Sequence, residues 1–107
     1  MKALLGLMML VSALSVSNQA LAVDAKAAKS IAAKNACLAC HAVDKKVIGP
    51  AYKDVSAKYK GVAGAEDKLV AKVKAGGSGV WGTMAMPPHP QVSDEDLHTV
   101  VQWVLSL

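Results

Sequence analysis

Cys37-Leu38-Ala39-Cys40-His41 is a C-x-x-C-H stretch, a pattern tied to one chemistry, the attachment of a c-type haem. Two thiols three positions apart on a helical turn can each add to one vinyl group of the macrocycle, and the next residue brings an imidazole under the iron as proximal ligand. The chain has only these 2 cysteines, so neither a disulfide framework nor a four-cysteine cluster is open to it. A dithiol redox centre needs a strand before the motif and a βαβ setting, whereas an alanine- and lysine-rich segment precedes it here. Zinc would need two further ligands, and besides His41 only His89 and His98 are available, at a spacing unlike any zinc module. A disulfide across two intervening residues would close a very short loop and add little stability.

The first 22 residues read as a secretory leader rather than as part of a fold. Met1-Lys2 supplies a positive start, Ala3 to Leu14 an apolar run, and Ala20-Leu21-Ala22 a small-x-small cleavage site. The run is shorter than the ~20 apolar residues of a membrane span, and no cysteine follows it for lipid attachment. The expectation is therefore a cleaved signal peptide over residues 1–22 and one monohaem domain over residues 23–107, with an uncleaved leader acting as a tether as the alternative.

The remaining 85 residues suffice for one small domain, of a size that commonly needs a metal, disulfide or cofactor to complete its core. All 12 basic residues are lysines, and only Lys2 lies in the leader, while all 8 acids follow it. The domain is thus mildly basic. No basic run with interleaved aromatics is present, which argues against nucleic acid as a partner.

Helices are expected throughout. Asp24 can cap a first helix through about Ala36, with Ala25, Ala28, Ile31 and Ala32 forming a narrow apolar stripe whose small side chains imply close contact with another helix. A second helix is expected from about Ala51 to Lys60 and a third from Glu66 to Ala75, stopped by Gly76-Gly77. Ser93 caps the last, in which Leu97, Val100, Val101, Val104 and Leu105 recur at helical spacing. No useful length alternates with period two, so residues 76–92 read as a long loop. Loops of that length in small domains tend to be functional.

Of the chain's 5 methionines only Met84 and Met86 fall in the domain, both in this loop. Met86 precedes Pro87-Pro88, which hold it on a stiff, extended stretch. Met86 is therefore the expected distal iron ligand, with Met84 packing beside the ring.

Together, Gly49-Pro50-Ala51-Tyr52-Lys53-Asp54-Val55, Gly79-Val80-Trp81-Gly82 and Met86-Pro87-Pro88, in that order after the haem motif, resemble the small bacterial class I cytochromes c of the c-551/c-552 type. The similarity extends over essentially all of residues 23–107. It implies an all-α fold of about four helices packed around one covalently bound haem c. It implies thioether roles for Cys37 and Cys40, and His41 and Met86 as the axial pair. It further implies that the carbonyl of Pro50 accepts a hydrogen bond from the far nitrogen of His41, that Trp81 directs its indole N–H to a haem propionate, and that Trp103 packs where the first and last helices meet. Three departures stand out. Thr83 and Ala85 replace frequent prolines, which predicts a looser methionine loop. His89 stands where asparagine usually follows Met-Pro-Pro, and Lys72 where arginine or histidine commonly approaches a propionate.

The resulting expectation is a monomeric electron carrier of the periplasm, not an enzyme. It would exchange single electrons with the redox-protein donors and acceptors of a bacterial respiratory chain, without stable membrane insertion after cleavage. The transfer edge is expected at an apolar rim of Leu38, Ala39, Val47 and Ile48 beside Lys45 and Lys46. The alternative is a haem enzyme or gas sensor with a labile methionine, against which stands the lack of any distal acid–base group other than His89. A solvated surface position is the expectation for His98.

Overall fold

The computed structural model describes residues 23–107 and the isolated position 12. Apart from that one position, the expected leader and its cleavage after Ala22 lie outside the described residues. Helix α1 (Ala25–Lys34) starts where the Asp24 carboxylate accepts the Ala27 N–H at 2.9 Å, which satisfies one of the free amides of the first turn. It stops two residues short of the expected Ala36, because Ala36 takes φ 60°, the one left-handed non-glycine residue among those described. That turn redirects the chain into a single 3-10 turn, Cys37–Ala39. The haem motif therefore sits on a tight corner rather than in a continuous helix.

Helix α2 (Tyr52–Tyr59) begins directly after Pro50 and Ala51. Helix α3 (Ala65–Ala75) follows Gly64 and carries Glu66 and Asp67 in its first turn and Lys72 and Lys74 in its last, each matched to the helix dipole. Helix α4 (Asp94–Leu105) is capped by Ser93, whose hydroxyl accepts the Asp96 N–H at 3.2 Å. It buries Leu97, Val100, Val101, Trp103 and Val104. α1, α2 and α3 all pack on α4. Ala28 and Ala32 are 0% exposed, so the small-residue stripe of α1 does permit close approach. Ser56 donates to the carbonyls of Leu105 and Leu107, at 3.1 and 2.9 Å, and so ties α2 to the end of α4.

Residues 76–92 are not wholly irregular. β1 (Gly77–Gly79) and β2 (Gly82–Met86) form an antiparallel hairpin in which Gly77 pairs with Met86 and Gly79 with Gly82. Both strands are exposed almost throughout. Period-two alternation arises from a buried face, so the sequence carried no strand signal here. The four-helix architecture stands, with the hairpin added to it. No helix among the described residues is long and apolar enough to cross a membrane.

The core is thin. Among its larger side chains Leu97 and Trp103 are 3% exposed and Val55, Leu69 and Val100 reach 9%, and none is wholly buried. The reason is that the inner faces of α2, α3 and α4 line a cavity.

Candidate cofactor cleft

That cavity is a cleft of about 410 Å³ walled by Val55 of α2, Leu69 and Val73 of α3, and Leu97, Val100 and Val104 of α4. Cys37, Cys40, His41, Pro50, Trp81 and Met86 all line it as well. Six residues spread over 50 positions of chain are thus brought to one space.

The motif end is built by short backbone bonds. The Cys40 carbonyl accepts from Gly49 N at 2.7 Å and Ile48 N at 3.2 Å, folding residues 41–48 into a closed loop. This sets the Gly49 backbone against the imidazole of His41, where a Cβ at Gly49 would lie 2.5 Å from its Cε1. On the edge of the ring, His41 Nδ1 donates to the Pro50 carbonyl at 2.8 Å, and Nε2 is left as the electron-pair donor. On its face lies Tyr52, with ring centroids 5.0 Å apart and planes 17° apart.

Both thiols are free and half-buried. Burial pushes the Cys37 thiol above its ordinary value, a backbone hydrogen bond opposes this, and Cys40 adds to the rise. Dithiol redox centres work with a lowered thiol pKa, so the environment at Cys37 runs against that chemistry.

The hairpin end contributes thioethers. Met86 is half-buried, and its carbonyl lies against Gly76, where a Cβ would come within 2.5 Å. Gly76 adopts φ 68°, a glycine-favoured conformation, and so allows this approach. The His89 N–H donates to the Val73 carbonyl at 3.1 Å, fixing the strand downstream of the prolines. Met84 also lines the cleft but is 69% exposed. Trp81 is exposed on the hairpin turn with the Lys58 ammonium 5.6 Å from its ring centroid, and the Lys72 ammonium lies over Gly77. Trp103 is buried, edge-on to Tyr52 at 5.5 Å, with the Lys29 ammonium of α1 5.9 Å from its ring centroid.

Two positions differ from their sequence reading or were missed by it. His98 is not simply solvated, for its Nδ1 lies 3.4 Å from the Glu66 carboxylate and its Nε2 3.9 Å from Asp67. Helices α3 and α4 run antiparallel, and their pairing brings these groups together across 32 and 31 positions of sequence. Tyr52 was noticed only within a family motif. Its position two residues after the proline that meets His41 was the available signal.

The donor set and the walls fit a haem: two unpaired thiols, one imidazole with its second nitrogen already engaged, thioethers, and otherwise apolar lining. Among the described residues no group of three or more His, Cys, Asp or Glu converges as a metal site.

This chain belongs to the cytochrome c family, whose profile matches residues 25–107. More narrowly, it is similar to the cytochromes c-551 and c-552. Cytochrome c-551 of Allochromatium vinosum is 52% identical over 77 residues, covering 72% of this chain and 82% of that protein. The crystal structure of wild-type Nitrosomonas europaea cytochrome c552 superimposes with a TM-score of 0.71 at 47% identity, covering 73% of this chain and 96% of the other. The class 1 cytochrome MtoD of Sideroxydans lithotrophicus gives 0.69 at 40% identity, covering 79% and 97%. The chain is accordingly an electron carrier, not an enzyme, and its cofactor is one covalently attached haem c.

Proposed function

We propose that this protein is an exported, periplasmic one-electron carrier in which Cys37 and Cys40 would form the thioethers, and His41 and Met86 would hold the iron. When bound, the haem supplies an iron that cycles between ferrous and ferric states. The 2.8 Å contact between His41 Nδ1 and the Pro50 carbonyl carries this reading, since it fixes the tautomer that leaves Nε2 as ligand inside a cleft also lined by Met86 and both thiols. A methionine ligand and apolar walls both favour the ferrous state and raise the potential. With His41 and Met86 both committed to the iron, the carrier would exchange electrons without binding a substrate there.

Leu38, Val47 and Ile48 are 43%, 47% and 51% exposed beside the motif, which suits an apolar transfer edge flanked by Lys45 and Lys46. Acidic-rimmed redox proteins of a respiratory chain are the matching donors and acceptors. Trp81 on the hairpin and Lys72 beside Gly77 would meet the propionates. The carrier acts as a monomer, released by cleavage after Ala22. The test is spectroscopic: the ferric protein is low-spin with a weak far-red sulfur-to-iron band, and the ferrous protein resists carbon monoxide. Ready carbon monoxide binding at neutral pH by the unmutated protein overturns the reading.

A further inference from the structure

We propose that Tyr52 is a positioning residue for the iron ligand: its ring, stacked on His41, sets the rotational angle of the imidazole. This rests on the reading of His41 as axial ligand.

A hydrogen bond at Nδ1 alone leaves the ring free to rock about the line through that bond. The structure restricts that freedom through two close neighbours of the ring. The Gly49 backbone is so close to the imidazole that a Cβ there would fall 2.9 Å from both Nδ1 and Nε2. Tyr52 lies nearly parallel, with centroids 5.0 Å apart and an interplanar angle of 17°. Offset stacking of this kind has a preferred geometry, which favours one orientation over others that differ little.

Tyr52 is itself not free to follow the imidazole. It is 6% exposed and meets Trp103 edge-on, at 5.5 Å and 78°. Trp103 is 3% exposed, on the helix that α1, α2 and α3 all pack against. The angle of the imidazole is thus referred through two aromatic rings to the docking of the terminal helices.

The imidazole plane determines how unpaired spin spreads over the ferric macrocycle, so the proton spectrum of the ferric holoprotein reads it directly. The expected result for Tyr52→Leu is a changed order or a narrowed spread of the four haem methyl resonances, while the far-red band persists. Tyr52→Phe retains the unmutated pattern, because it keeps the stack and loses only the hydroxyl. In the ferrous unmutated protein, nuclear Overhauser contacts between the Tyr52 and His41 rings are expected, a measurement that needs no variant to fold. An unchanged methyl pattern in Tyr52→Leu, or absence of those contacts, overturns the role of Tyr52. If the His41 ring protons of the unmutated ferric protein are not hyperfine-shifted, His41 ligation fails, and the Tyr52 role falls with it.

Discussion

Gly49→Ala is a one-carbon change aimed at His41, the proposed iron ligand. The added Cβ would sit 2.5 Å from His41 Cε1 and 2.9 Å from both ring nitrogens, about 0.9 Å short of the 3.4 Å at which ordinary contact begins. The ring has a hydrogen bond on its edge and Tyr52 on its face, so either the imidazole or the loop backbone must give way. A displacement of that size breaks the 2.8 Å bond to Pro50. Overpacking costs about 1–3 kcal/mol and the lost bond about 0.5–1.5 kcal/mol. A total of roughly 1.5–4.5 kcal/mol lowers Tm by at least ~6 °C in a domain this small. Gly64→Ala is the control. Gly64 has φ 74° but open space around its Cβ position, so that variant bears only the left-handed backbone cost of about 1–2 kcal/mol and leaves the iron spectrum untouched. Thermal melts of both holoproteins, followed in the far-ultraviolet and at the far-red band, separate the two effects. A Gly49→Ala protein with unchanged Tm and an unchanged band refutes the close packing around His41.

Met86→Ala is expected to abolish the far-red band, lower the potential and open the ferrous iron to carbon monoxide, whereas Met84→Ala leaves the band in place; titration with carbon monoxide checks both. Cys37→Ala combined with Cys40→Ala is expected to yield a chain without cooperative melting, because the walls of the cleft have little else to pack on; circular dichroism decides it. Lys74 holds the Asp94 carboxyl below its ordinary value, first by a hydrogen bond and then by its charge. The folded chain therefore binds that proton less readily than the unfolded one, and the stabilisation is present at neutral pH and fades as the solution is acidified through the carboxylate range. The difference in denaturant midpoint between the unmutated protein and Asp94→Asn should accordingly be largest near pH 7 and vanish in acid. Intact-mass analysis of protein from its native host is expected to give a chain beginning at Val23 plus one haem.

The helices were readable because their signals are local. Asp24 and Ser93 are caps by chemistry, and the spacing of Leu97, Val100, Val101 and Val104 names the buried face of α4 before any partner is known. The end of α1 was misplaced by two residues because a left-handed alanine at position 36 follows no propensity. It is imposed by the need to bring Cys37 round to the cleft. The hairpin was hidden because Ser78, Thr83 and Met84 face solvent, and a strand without a buried side has no period to detect. The site was half legible. The motif, the proline and the methionine are short-range or ordered signals, but the stack of Tyr52 on His41 and the approach of His98 to Glu66 depend on how helices meet.

The cleft is walled by the same side chains that form the hydrophobic core, among them Val55, Leu69, Val100 and Val104. Taking up an electron and staying folded are then coupled equilibria in one thermodynamic cycle. Whatever free energy separates the folding stabilities of the ferrous and ferric forms must reappear as the difference between the potentials of the folded and unfolded chain, with 59 mV for each tenfold ratio of folding constants. A substitution in this wall, Val100→Ala for instance, cannot tune one quantity in isolation. If it lets water in, it destabilises the ferrous form more than the ferric and lowers the potential by the same increment. The reduction potential of this protein is therefore a gauge of its packing, readable with an electrode.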